Sequence, residues 1–188
     1  REWTSLVESK SGERGIFNRV SAQKQAAKNG RRNPDYEFGT NPCSEIILRP
    51  HQFCNLTEVV VKEHDTDDDL DRKVRLATIL GTAQSTLTNF PYLRKVWKNN
   101  TQEERLLGVS LTGIMDNIHT NCFLVNMRER LTRMKQIAID TNKKYAKRFG
   151  IEESTAITCV KPSGTVSQLC DSASGIHARH SRYYIRTV

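Results

Sequence analysis

The sequence predicts an α/β fold, on three observations. Short apolar runs of strand character recur at Leu56–Val61, Leu106–Ile114 and Ala156–Val160. Longer polar segments with apolar residues at helical spacing, 66–88 and 126–149, lie between them. Turn residues separate the two kinds. Strands that alternate with helices build a sheet covered by helices, either open or closed into a barrel.

Taken in order, residues 1–11 read as the end of a helix, and Gly12-Glu13-Arg14-Gly15 as a turn. Ile16–Val20 is a short strand candidate, and the polar stretch 21–40 a surface excursion. Pro42 biases Asn41 toward extended backbone, which places Cys43 on a loop or strand end. Leu56–Val61, with Val59-Val60-Val61, is a buried strand. Thr66 and Asp67 cap a helix whose first turn holds Asp67, Asp68 and Asp69. Leu70, Val74, Ala77, Leu80 and Leu87 carry its apolar stripe to Thr88. The three acids lack the spacing of a calcium loop and are read as helix-start charges. Leu106–Ile114, broken by Gly108 and Gly113, is a strand that enters a helix. The clearest helix runs from Asn126 to Phe149, with Leu131, Met134, Ala138, Thr141, Tyr145 and Phe149 on one face and Gly150 as its stop. Its methionines are gap-filling core. Ala156–Val160 and Tyr183-Tyr184-Ile185 complete the strands.

The 188 residues suffice for one domain with a core. The chain starts on Arg1 rather than Met and ends within a strand-like stretch, so a longer parent is expected, with portions missing on both sides. The formal charge of +8 raises nucleic-acid binding as a possibility. The cations are scattered and no aromatics interleave with them, so no nucleic-acid partner is expected. No apolar run reaches the roughly 18 residues of a membrane span, and no signal-peptide pattern is found. A soluble cytoplasmic protein is the expectation. Five cysteines, 43, 54, 122, 159 and 170, form no Cys-x-x-Cys pair, which argues against a disulfide framework or zinc. Cys122, Cys159 and Cys170 read as small buried hydrophobes.

Cys43 is different. In Asn41-Pro42-Cys43-Ser44-Glu45 an extended backbone turns Asn41, Cys43 and Glu45 to one side, bringing a thiol, a carboxylate and an amide together. Cys54 comes eleven residues later in Phe53-Cys54-Asn55-Leu56. A lone buried cysteine beside a surface glutamate is the plain alternative. A Cys-His hydrolase is another, but His51 and His64 carry no motif. Pro162-Ser163-Gly164-Thr165-Val166-Ser167 comes after a strand and offers hydroxyls and free N–H groups, suited to phosphate at a helix start or simply to a turn. It is not a Walker A loop.

Asn-Pro-Cys-Ser-Glu with Phe-Cys-Asn-Leu behind it resembles the catalytic loop of ribonucleotide reductase large subunits, specifically the adenosylcobalamin-dependent class II ribonucleoside-triphosphate reductases. Ser11–Arg19 resembles the segment before that loop. Lys161–Leu169 resembles the family's phosphate loop, and Ser174–His177 with Tyr183–Arg186 resembles the family segment on the C-terminal side of that loop. The resemblance implies that residues 1–188 form part of a single ten-stranded α/β barrel, with the cysteine on an internal finger loop. It implies that Cys43 carries a thiyl radical that takes the 3′-hydrogen of a ribonucleotide, that Glu45 is the general base, and that Asn41 orients the ribose. Cys54 becomes one of two reducing thiols, whose partner lies upstream. Ser163, Gly164, Thr165, Val166 and Ser167 bind substrate phosphates. Adenosylcobalamin is the implied cofactor and a thioredoxin-like dithiol the implied reductant. In a class I enzyme a second subunit delivers the radical through stacked tyrosines. Tyr183-Tyr184 lies too close to the phosphate loop for that role.

Overall fold

The computed structural model describes residues 1–11, 15–28, 30–117 and 126–185. Its elements are α1 (Glu2–Ser9), α2 (Arg19–Ala27), a hairpin of β1 (Gly39–Thr40) and β2 (Ile47–Leu48), β3 (Asn55–Val60), α3 (Asp67–Gln84), α4 (Lys95–Glu104), β4 (Leu107–Thr112), a 3-10 turn at Ile114–Asp116, α5 (Met127–Phe149) and α6 (Thr165–Leu169). Cys122, Gly12–Arg14 and Arg186–Val188 lie outside the described residues, and so do the readings made on them.

β3 and β4 pair in parallel, with Leu56 opposite Gly108 and Val59 opposite Leu111. A third parallel lane runs beside β4. The Leu107 and Val109 N–H groups donate to the Ala156 and Ile157 carbonyls, and Cys159 N–H returns to Val109. This lane is the expected Ala156–Val160 strand, reduced to a single bridge at Thr158. The lanes are joined through α3 and α4 on one side of β4 and through α5 on the other, as parallel pairing requires. Among the described residues the sheet stays open at both β3 and 156–159, so the expected closed barrel is not formed by these strands.

Strand alternation divides the sheet into two faces. Val59, Val61, Leu107 and Val109 meet Leu70, Val74 and Ala77 of α3 and Met134 and Ala138 of α5 in the main core. α3 starts on a capping box, in which Thr66 accepts from Asp69 N–H while the Asp69 carboxylate accepts from Thr66 N–H. Its buried stripe is narrower than the sequence predicts. Leu80 and Leu87 are exposed, and Thr78, Gly81 and Thr82 take the packed positions. Gly81 lies against Leu107 and Thr57 of the sheet, and the buried Asn142 amide of α5 donates to the Thr82 and Ser154 hydroxyls. On α5 the same shift exposes Leu131 and Phe149 and buries Asn142 and Ala146.

Three sequence expectations are corrected. Ile16–Val20 is not a strand, because Asn18 caps α2 by accepting from Ser21 N–H and the alanines and glutamines beyond it favour helix. The 21–40 stretch is therefore not a mere excursion, since Ala22, Ala26 and Phe38 make a small second core with Tyr36 and Ile47. Tyr183–Ile185 forms no strand either. Both tyrosines are exposed, and Tyr184 donates to Gln168.

One buried ion pair fixes the segment that carries Cys43. Arg32 Nε and Nη2 donate to the Glu104 carboxylate at 3.0 and 2.8 Å, Arg32 Nη1 donates to the Ile47 carbonyl, and Gln52 donates to Glu104. Both charged side chains are almost fully buried. A charge buried without its partner is far costlier than a buried pair. Glu104→Gln is therefore expected to cost roughly 3–5 kcal/mol, read as a lower urea midpoint. An unchanged midpoint would contradict this.

Candidate functional site

The sheet face turned away from the helices carries the site. Gly108 lies at its centre. A Cβ built on Gly108 would stand 2.5 Å from Leu56 Cδ2, 3.1 Å from Cys159 Sγ and 3.3 Å from Cys54 Sγ. Glycine is thus required for space, and both sulfurs lean over it. Rings hold the approach to Cys54 in place, because Phe53 stacks on Trp97 at 4.7 Å and meets Phe90 at 5.1 Å.

Cys43 stands at the tip of the β1–β2 hairpin. Ser44 N–H donates to the Asn41 carbonyl at 2.9 Å, and the Asn41 side-chain oxygen accepts from Ile46 N–H at 3.0 Å. Ser44 adopts φ 63°, a left-handed conformation that a non-glycine residue holds only at some cost. The segment is therefore a tight turn rather than extended backbone, and strand alternation does not align Cys43 with Glu45. The turn leaves Cys43 exposed and folds Glu45 inward.

Glu45 is met from the far end of the chain. Its side chain is 3% exposed, and Oε1 accepts from Lys161 Nζ at 3.1 Å. Oε2 is buried without a hydrogen-bond partner. Burial works to raise this carboxyl. Its own backbone N–H, the Asn41 side chain and Lys161 more than offset that, and hold it below the usual glutamate range. It is a carboxylate at neutral pH, with one free oxygen. Lys161 is in turn held above its ordinary value, first by the Glu45 hydrogen bond and also by the nearby Cys43 and Cys159. Cys43, Glu45 and Cys159 thus share Lys161 as a neighbour.

Burial pushes the Cys54 thiol up to about 12 and the Cys159 thiol to about 11, with Glu45 adding to both. Alkylation needs an accessible thiolate. Iodoacetamide at neutral pH is expected to label Cys43 first and Cys54 and Cys159 more than about tenfold slower, read by peptide mass mapping. Equal rates in the folded protein would contradict this.

Lys161 leads into the second loop. Ser163 is buried and its hydroxyl has no partner. Gly164, Thr165 and Val166 are exposed at the start of α6, where first-turn N–H groups lack intrahelical acceptors. Ser167 is fully buried, and its hydroxyl donates within the turn to the Ser163 and Gly164 carbonyls. Gly175, at φ 54°, packs against the Lys161 carbonyl and closes the loop from behind.

The structure therefore sets Asn41 against Glu45, brings Cys54 within electrostatic reach of Glu45 and exposed Cys43 within reach of Lys161, and joins the turn to the 163–167 loop through Lys161. Lys161 and Cys159 are the additions that sequence reasoning missed. Lys161 had one available signal, its place directly before the Pro-Ser-Gly-Thr run. His51 and His64 serve elsewhere. His51 packs on Trp97 and contacts Arg94, and His64 is a surface residue beside Glu63. Among the described residues no cluster of three metal-ligating side chains occurs, and no helix is long and apolar enough to cross a membrane.

No protein-family model matches the chain. Individual proteins do. A probable adenosylcobalamin-dependent ribonucleoside-triphosphate reductase of Dictyostelium discoideum is 31% identical over 80% of this chain and 19% of its own length. The adenosylcobalamin-dependent ribonucleoside-triphosphate reductase of Euglena gracilis is 30% identical over 94% and 24%, and that of Lacticaseibacillus paracasei 26% over 98% and 28%. The chain thus spans about a fifth to a quarter of these relatives. The crystal structure of a B12-dependent class II ribonucleotide reductase superposes on 76% of this chain and 23% of its own, with a TM-score of 0.61 at 26% identity.

Proposed function

We propose that this chain, which belongs to the adenosylcobalamin-dependent class II ribonucleotide reductases, carries the thiol, the base and the phosphate loop that reduce a ribonucleoside triphosphate to its 2′-deoxy form. The observation that carries the reading is the Lys161–Glu45 ion pair. It sets the Asn41–Glu45 turn and the Ser163–Ser167 loop side by side across 116 residues. A ribose between them would have its phosphates at one loop and its hydroxyls at the other.

In this reading Cys43 gives up its sulfur-bound hydrogen to become the thiyl that takes the 3′-hydrogen of the ribose. The partnerless Oε2 of Glu45 accepts the 3′-hydroxyl proton. Ionising that hydroxyl eases loss of the 2′-hydroxyl as water. Asn41 holds the ribose hydroxyls and braces the turn. Cys54 is one of two thiols that supply the reducing electrons and end as a disulfide, which a thioredoxin-like dithiol in the cytoplasm restores. The N–H groups of Gly164, Thr165 and Val166 and the hydroxyls of Ser163 and Thr165 receive the phosphates, while Ser167 shapes the loop. The three parallel lanes belong to a ten-stranded barrel, with the Cys43 hairpin as its internal finger. Such enclosure suits a radical site, which needs bulk water kept away.

Adenosylcobalamin, when bound, would supply the initiating radical. The exposed sulfur of Cys43 fits a group that docks against the hairpin tip, and no residue of this chain is assigned to hold that group.

The complete protein is to be incubated with a ribonucleoside triphosphate and a dithiol, with and without adenosylcobalamin. Deoxynucleotide formed only with the cofactor supports the reading. Product formed without it, but only with a second metal-bearing subunit, would move the enzyme to class I.

A further inference from the structure

We propose that Lys161 is a positioning residue for the base, holding Glu45 by Oε1 as a carboxylate and so aiming its free Oε2 at the substrate. The inference rests on the proposed reductase function, and adds to it a residue that neither loop's assigned roles include. Its basis is geometric. Glu45 is almost wholly buried, its carboxylate meets the ammonium of Lys161 at 3.1 Å, and the lysine is itself 30% exposed. The pair closes a contact between a hairpin loop and the segment that enters α6, so the loop that takes the phosphates also sets the base.

The groups facing Glu45 come from several elements. Cys43 lies on its own hairpin, Cys54 precedes β3, and Cys159 and Lys161 lie in the third lane and beyond. Arg31, Arg32 and Lys135 of α5 line a cleft that Glu45 also borders. Arg32 is already committed to Glu104. Removing Lys161 takes away one hydrogen bond and one opposite charge that hold the Glu45 carboxyl low, while burial still pushes it up and its own backbone N–H and the Asn41 side chain still pull it down.

The Glu45 carboxyl lies below its ordinary value in the wild type, so the base is present above that value and lost only in acid. In Lys161→Met the carboxyl rises, and activity is lost at a higher pH. A merely structural lysine would lower activity by the same factor at every pH.

The test has two arms. In the complete protein, the acid limb of kcat/KM is expected to move to higher pH in Lys161→Met and to return in Lys161→Arg. Independently of turnover, an infrared-monitored pH titration is expected to show the Glu45 carboxyl protonating at higher pH in Lys161→Met than in the wild type, with the band absent from the Lys161→Met, Glu45→Gln double variant. A Lys161→Met variant with an unmoved limb and an unmoved carboxyl titration overturns the proposal. A wild type without reductase activity would sink the functional reading alone, because the infrared arm still reports on the pair.

Discussion

Cys43→Ser is expected to lower deoxynucleotide formation to background while leaving the fold intact. The two side chains are nearly the same size, and Cys43 is exposed at the hairpin tip, so little packing is lost. The chemistry is what changes. A sulfur–hydrogen bond is weak enough to be broken homolytically and re-formed on the substrate, whereas the oxygen–hydrogen bond of serine is too strong. The variant is expected to keep the wild-type urea midpoint, because the turn is held by Asn41, Ser44 and Ile46 rather than by the sulfur. Turnover above background in Cys43→Ser would contradict the role assigned to the thiol.

Glu45→Gln is the second large effect. The amide is nearly isosteric and its oxygen still accepts from Lys161, but it takes no proton. Loss of a positioned general base costs roughly 10²–10⁴-fold, and that range is expected in kcat/KM. The wild-type acid limb, which reports the depressed Glu45 carboxyl, is expected to vanish with it. Lys161 is partly exposed and keeps the amide oxygen as acceptor, so stability should change little. A variant with near-wild-type kcat/KM, or with the acid limb still in place, would show that another group is the base.

The two long helices were legible in the sequence because their signals are local. The Thr66–Asp69 capping box and the Gly150 stop, at φ 67°, each need only a few neighbouring residues. The β3 and β4 strands were legible for the same reason, as apolar runs between turn residues. What sequence reasoning missed depended on contacts between distant segments. Ile16–Val20 has strand-like residues, yet Asn18 caps a helix there whose alanines bury against Phe38. The Cys43 segment looked extended after Pro42, but the left-handed Ser44 makes it a turn. That correction matters for the site. Asn41 does meet Glu45, but the turn leaves Cys43 exposed at its tip while Glu45 folds inward, where an ion pair from residue 161 holds it. Nothing periodic links positions 45 and 161. Cys159 was equally hidden, since only the parallel register over Gly108 brings its sulfur toward Cys54.

The most direct test is an experimental structure of the complete protein with a bound ribonucleoside triphosphate. The expected result places the ribose between the Cys43 sulfur and the Glu45 carboxylate, with Cys54 on its other side and the phosphates on Gly164, Thr165 and Val166. A nucleotide whose sugar lies beyond reach of Cys43, or whose phosphates bind away from the 163–167 loop, would contradict it.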